Sequence, residues 1–120
     1  MERTIQIDGG EVLLRCTGKT PLIYNALINR DLFADFEKFQ KEAKKGKALS
    51  ASALVTFLNI AYVMAWQAED TYHRERIPNF PKTAGDWLDQ FEMFSVYDHL
   101  DTVMEMMLAD KKQLVYEKNL

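Results

Sequence analysis

At 120 residues the chain has the size of one domain, and its 48% apolar and 28% charged residues exclude a disordered tail or a low-complexity linker. Its 15 basic and 18 acidic side chains give a net charge of −3, against the cationic excess that a general nucleic-acid binder needs. Cys16 is the single cysteine and there are two histidines. No internal disulfide can form, few soft metal ligands are present, and the composition suits a reducing cytoplasm and argues against an enzyme.

The opening Met-Glu-Arg-Thr-Ile-Gln-Ile-Asp lacks the apolar stretch of a signal peptide. Residues 1–17 read as a β-hairpin. Ile5 and Ile7 alternate with polar neighbours, Asp8-Gly9-Gly10 supplies the positive φ angles of a tight turn, and Val12, Leu13 and Leu14 resume the apolar pattern. A lone hairpin is marginal in water, so it must pack on the rest of the domain or pair with another chain.

Residues 18–110 read as helical. Thr20 is expected as N-cap with Pro21 at the first helical position, and Leu22, Ile23, Ala26 and Leu27 as the apolar face. Asp31 caps a second helix that buries Leu32, Phe36, Phe39 and Ala43, flanked by Phe33, and stops at Lys44-Lys45-Gly46-Lys47. Ser50 or Ser52 caps the third and most hydrophobic helix, which carries Leu54, Phe57, Leu58, Ala61, Tyr62, Ala65 and Trp66. It ends near Arg74–Arg76, before the prolines at 78 and 81.

No charge occurs from Ala48 to Ala68, but Ser50, Ser52, Thr56, Asn59 and Gln67 interrupt the stretch. Its longest apolar run is Ile60–Trp66, which favours a core helix over a membrane span. Thr83 opens a fourth helix, with Asp86 three residues on and Trp87, Leu88 and Phe91 as its apolar side. Ser95 caps a last helix to about Asp110, and 111–120 reads as a tail. The expected fold is mainly α: a compact bundle of about five helices behind an N-terminal β-hairpin, in one domain over 1–110.

Motifs with chemical promise are incomplete. Gly18-Lys19-Thr20 ends like a phosphate-binding loop, but Leu13 stands where its first glycine belongs. Asp70 and His73 share a helix face, yet His99 has Val96 three residues before it, so no second acid-x-x-His copy completes a bundle metal site. Lys38, Lys41, Lys44, Lys45 and Lys47 form a basic stripe interleaved with Glu37 and Glu42, the pattern of a solvated helix face. No catalytic, cofactor or metal constellation emerges. Residues 82–110 carry Lys82 against seven carboxylates, a local charge of −6. That skew either steers a basic partner or is a solvated face.

The last helix gathers Val96, Leu100, Val103, Met104, Met107 and Leu108 on one arc, opposite Asp98, Asp101 and Glu105, with Met106 outside the arc and exposed. Methionines at 93, 104, 106 and 107 either make a surface that can repack around different partners or, for Met104 and Met107 above all, pack in the core.

Three blocks carry a further reading. They are the hairpin followed by Thr17-Gly18-Lys19-Thr20-Pro21-Leu22-Ile23-Tyr24 and Asn29-Arg30-Asp31-Leu32-Phe33; Asn59-Ile60-Ala61-Tyr62-Val63-Met64-Ala65; and Trp87-Leu88-Asp89-Gln90-Phe91 leading to Phe94-Ser95-Val96-Tyr97-Asp98. In this order, over most of residues 5–108, the chain resembles the tail assembly chaperones of long, non-contractile-tailed bacteriophages and related prophages of Gram-positive hosts. The resemblance implies a non-catalytic protein of the host cytoplasm, absent from the mature virion. Such a protein coats the phage tape measure protein, keeps it soluble and delivers it for polymerisation of the tail tube.

The resemblance also implies a form extended by ribosomal frameshifting, whose added domain recruits the tail tube protein; Lys111-Lys112 suits an A-rich slippery run. Helix-in-groove recognition is the expected mode, through Val96, Leu100, Met104 and Met107 with Met106 at the rim. The hairpin edge around Ile5 and Val12–Leu14 is a second surface, for self-association along the tape. Neither nucleic acid nor membrane is an expected partner. The alternative, from another class, is a small phage-encoded regulatory module, an inhibitor or a helical DNA-binding factor, which would shift DNA mobility with steep salt dependence.

Overall fold

Asp8 and Gly9 adopt positive φ angles of 50° and 82°, a two-residue turn that reverses the chain between β1 (Glu2–Ile7) and β2 (Gly10–Arg15). The antiparallel register sets Ile5 opposite Val12 and Ile7 opposite Gly10. The computed structural model describes residues 1–46, 48–73 and 79–118, with side chains through residue 109. Ile5, Ile7, Leu14 and Cys16 are buried, and β2 packs on the third helix. The hairpin therefore gains the support that it lacks alone.

Five α-helices follow among the described residues: α1 Thr20–Ile28, α2 Leu32–Ala43, α3 Ala51–Tyr72, α4 Ala84–Leu88 and α5 Leu100–Lys118. The architecture is the expected one, a mainly helical domain behind a two-stranded hairpin. The central element is α3, which touches β2, α1, α2, α4 and α5. Every residue from Ile60 to Ala65 is buried. By length and composition α3 would also cross a membrane; here 56% of its most apolar window is buried inside the domain.

Ser50 caps α3 by accepting the Ala53 N–H. Asp31 caps α2 through the Phe33 and Ala34 amides, and Thr83 caps α4 through the Asp86 amide. Each cap satisfies helix donors that the backbone leaves unpaired. The helix α3 ends at Tyr72 with His73 as C-cap; the expected end at Arg74–Arg76 lies outside the described residues.

Several expectations are corrected. Thr20 is not an N-cap: Lys19 holds that place without a side-chain bond, and Thr20 is buried, donating its hydroxyl to Gln67 Oε1 at 2.6 Å. A buried amide inside α3 needs partners, and that demand claims the threonine. Leu22 on α1 is 71% exposed and Ala26 is exposed, while Ile23 and Tyr24 turn inward. Ala43 is exposed at the end of α2.

Ser95 is no helix cap either. Its hydroxyl donates to the Asp8 carboxylate, and a 3-10 turn, Tyr97–His99, leads into α5. The backbone of α5 stays helical to Lys118, past the expected start of a tail at 111.

Candidate partner-binding surface

Of the five residues expected to grip a partner, Val96 precedes the 3-10 turn and the other four lie along the first turns of α5. Val96, Met106 and Met107 belong to the hydrophobic core, and Leu100 and Met104 are half-buried and pack against it. Met106, expected at an exposed rim, is fully buried. The inward stripe is Val103, Met106 and Met107, rotated from the arc that hydrophobicity alone suggests. Contacts beyond the helix orient it: α5 packs on α3, Arg3 reaches Glu105 at 3.8 Å, and His99 Nε2 lies 2.7 Å from the Gln6 carbonyl. Over its described side chains, the apolar face of α5 is thus engaged within the domain.

Apolar surface is offered elsewhere. A cleft of about 600 Å³ opens between β2, α3 and the segment around α4. Its floor is made of buried Ile7, Ala65, Ala68 and Trp87, and its walls of half-buried Val12, Leu13, Phe80 and Phe91. Glu11, Glu69, His73, Asn79 and Gln90 form the polar rim. Aromatic packing shapes it. Phe91 stands edge-on to Trp87 at 5.1 Å, and Tyr62 lies 6.2 Å from Phe80 and 6.0 Å from Trp87. The Tyr62 hydroxyl donates to the Pro81 carbonyl at 2.6 Å, which ties the wall to α3.

Past Phe91 in the chain, Met93 and Phe94 are 76% and 66% exposed, and the Phe94 ring lies 6.3 Å from that of Tyr97. Their backbone is held at both ends by one carboxylate: Asp8 accepts the Glu92 N–H at 2.8 Å and the Ser95 hydroxyl. Those bonds, the Ser95 one foremost, hold the Asp8 carboxyl below the usual carboxylate range.

The residues of the incomplete motifs make contacts within the fold. Thr17 Oγ1 accepts the Lys19 N–H within the Gly18 turn, and Thr20 is committed to Gln67. His73 is exposed at the C-cap of α3, and no group of three potential metal ligands occurs among the described residues. Lys41 pairs with Glu37 at 3.5 Å, while Glu42 accepts the Ser50 N–H and hydroxyl across the α2–α3 connection.

The hairpin edge expected at Ile5 and Val12–Leu14 for self-association is divided: Ile5 and Leu14 are buried, and Val12 and Leu13 line the cleft. Sequence reasoning missed the opposing wall. The available signal was an aromatic series, Phe80, Trp87, Phe91 and Phe94, denser than a helix of five residues can bury. Comparison of the chain with protein families, with curated proteins and with solved structures finds no match.

Proposed function

We propose that this protein is a non-catalytic chaperone for phage tail assembly, which binds the tape measure protein and keeps it soluble in the host cytoplasm. The reading rests on the resemblance of the three sequence blocks. The observation that supports it most is the open cleft with its apolar floor and aromatic walls. A cleft of this kind suits apolar side chains of another polypeptide, and soluble monomers keep large exposed apolar surface mainly for such use. Met93 and Phe94, exposed on a backbone pinned by Asp8, serve as additional apolar anchors. The residues that hold the client are then Val12, Leu13, Phe80, Phe91, Met93 and Phe94, in place of the α5 face. A frameshift-extended form would add the domain that recruits the tail tube protein.

The test is co-expression with the tape measure protein of the same phage. The native chain should carry that protein into the soluble fraction and co-purify with it. The double substitution Met93→Asp and Phe94→Asp changes only exposed side chains, so it should fold normally and lose much of this effect. A tape measure protein equally insoluble with and without the chain would refute the proposal.

A further inference from the structure

We infer that the outer edge of β2 captures an extended segment of the client as a third strand, laid over the floor of the cleft. This rests on the client-binding reading above and adds the conformation and chemistry of what is bound. The Met1 amine donates to the Cys16 carbonyl at 2.8 Å, and the Cys16 N–H donates to the Met1 carbonyl at 2.9 Å. In an antiparallel ladder such mutual pairs alternate, so with this register 3–14, 5–12 and 7–10 are the other bonded pairs. The N–H and C=O groups of Glu11 and Leu13 therefore point away from β1.

The two edges of the hairpin differ. Along β1 the outward Gln6 carbonyl meets His99, and Arg3 meets Glu105; at the adjoining turn Asp8 holds Glu92 and Ser95. The chain's own C-terminal third covers that side. Along β2, Gly10–Leu13 border the cleft, and among the described residues no other backbone group bonds Glu11 or Leu13 from outside. An unpaired edge beside an apolar trench is the geometry of strand addition: main-chain bonds supply affinity and alternate side chains enter the trench. Asn79–Pro81 and Gln90–Phe91 also line the cleft beside β2. An added strand would run between β2 and these residues.

The pleat dictates the chemistry of the occupant. Side chains pointing down meet Ile7, Ala68, Trp87 and Phe91, so they are apolar. Side chains pointing up lie beside Glu11 and Leu13, which share the outer face of the hairpin. Opposite charges across a strand pair are favourable, so a cation belongs beside Glu11 and an apolar residue beside Leu13, two positions along. The bound segment is extended and mainly apolar, with one Lys or Arg.

The probe is a short synthetic peptide of valine and leucine with one lysine, titrated into the full-length chain and followed by amide shifts and tryptophan fluorescence. Two further copies are N-methylated at alternate residues, in opposite registers. Binding should shift the Glu11 and Leu13 amides, and one methylated register should bind about tenfold more weakly, as the loss of a main-chain bond predicts, while the other binds like the parent. Replacing the peptide's lysine by glutamate should weaken binding. Leu13→Pro should weaken it too, since it removes an outward N–H and leaves the β1 ladder bonded.

Failure of the parent peptide to bind, equal binding of the two registers, or equal binding of a stapled helical peptide would overturn the inference. So would concentration-dependent shifts of Glu11 and Leu13 without peptide, which would assign the edge to a second copy. Register-blind peptides with a solubilised tape measure protein would remove the strand and spare the chaperone. Register-dependent peptides with an insoluble tape measure protein would do the reverse.

Discussion

Asp8 accepts the backbone N–H of Glu92 at 2.8 Å, joining positions 84 residues apart and tying the tip of the hairpin to the loop that bears Met93 and Phe94. Because the carboxyl is held below its ordinary range by Ser95 and Glu92, its contribution to stability is present above the unfolded carboxylate pKa of about 3.9 and is lost as pH falls through the lower folded value. Asp8→Asn keeps a residue that tolerates the positive φ at this position and removes the charge. It should lower the thermal midpoint at pH 7, and the gap from the native chain should narrow below about pH 4. A gap that stays constant into acid would contradict this assignment.

Tyr24 and Asp35 form a buried pair at 2.8 Å, and Arg30 donates to both oxygens of Asp35 at 2.8 and 2.7 Å. The Arg30 guanidinium holds the Asp35 carboxyl below its usual range, while burial pushes the Tyr24 phenol well above its own. Asp35→Ala leaves the phenol buried without this acceptor and should cost about 1–3 kcal/mol in denaturant unfolding. Tyr24→Phe removes the donor and leaves Asp35 with Arg30, so it should cost less, about 1 kcal/mol.

The Thr20 hydroxyl accepts the Thr17 N–H at 2.9 Å while donating to Gln67, whose Nε2 donates to Thr17 Oγ1 at 2.6 Å. Thr20→Val keeps the shape and orphans buried partners, an expected loss of about 1–3 kcal/mol. Thr20→Asp separates this role from capping. At an exposed N-cap aspartate is as good as threonine, but at this buried position it should destabilise the domain more than valine does.

Two methionines report the orientation of α5 and its approach. Met106 is fully buried and Met93 is 76% exposed. Met106→Ala should therefore cost about 2–5 kcal/mol, and Met93→Ala should change stability by no more than about 0.5 kcal/mol. Equal effects in thermal unfolding would mean that the helix does not sit as described.

The candidate surface was half legible in the chain. Val12 and Leu13 stood out as apolar positions of a hairpin that must pack or pair, although the sequence assigned them to self-association and not to a client cleft. Phe80, Trp87 and Phe91 did not, because they come from a loop and a single helical turn, where no period marks a face. The five α5 residues illustrate the reverse error. Their spacing shows that the helix has an apolar side, but an apolar side serves the core and a partner equally well.

Local chemistry determined the hairpin, through Asp8-Gly9, and the caps at Asp31, Ser50 and Thr83, because each depends on backbone groups within a few residues. It also determined that the long uncharged helix would be central, since no other segment carries as much apolar surface. Tertiary structure alone decided the rotation of α1 and α5 about their axes, the recruitment of Thr20 by Gln67 and of Ser95 by Asp8, and which edge of the hairpin the C-terminal third covers. Those outcomes follow from partners 47 to 93 residues distant, whose packing and buried polar groups outweigh any preference written within a single turn of helix.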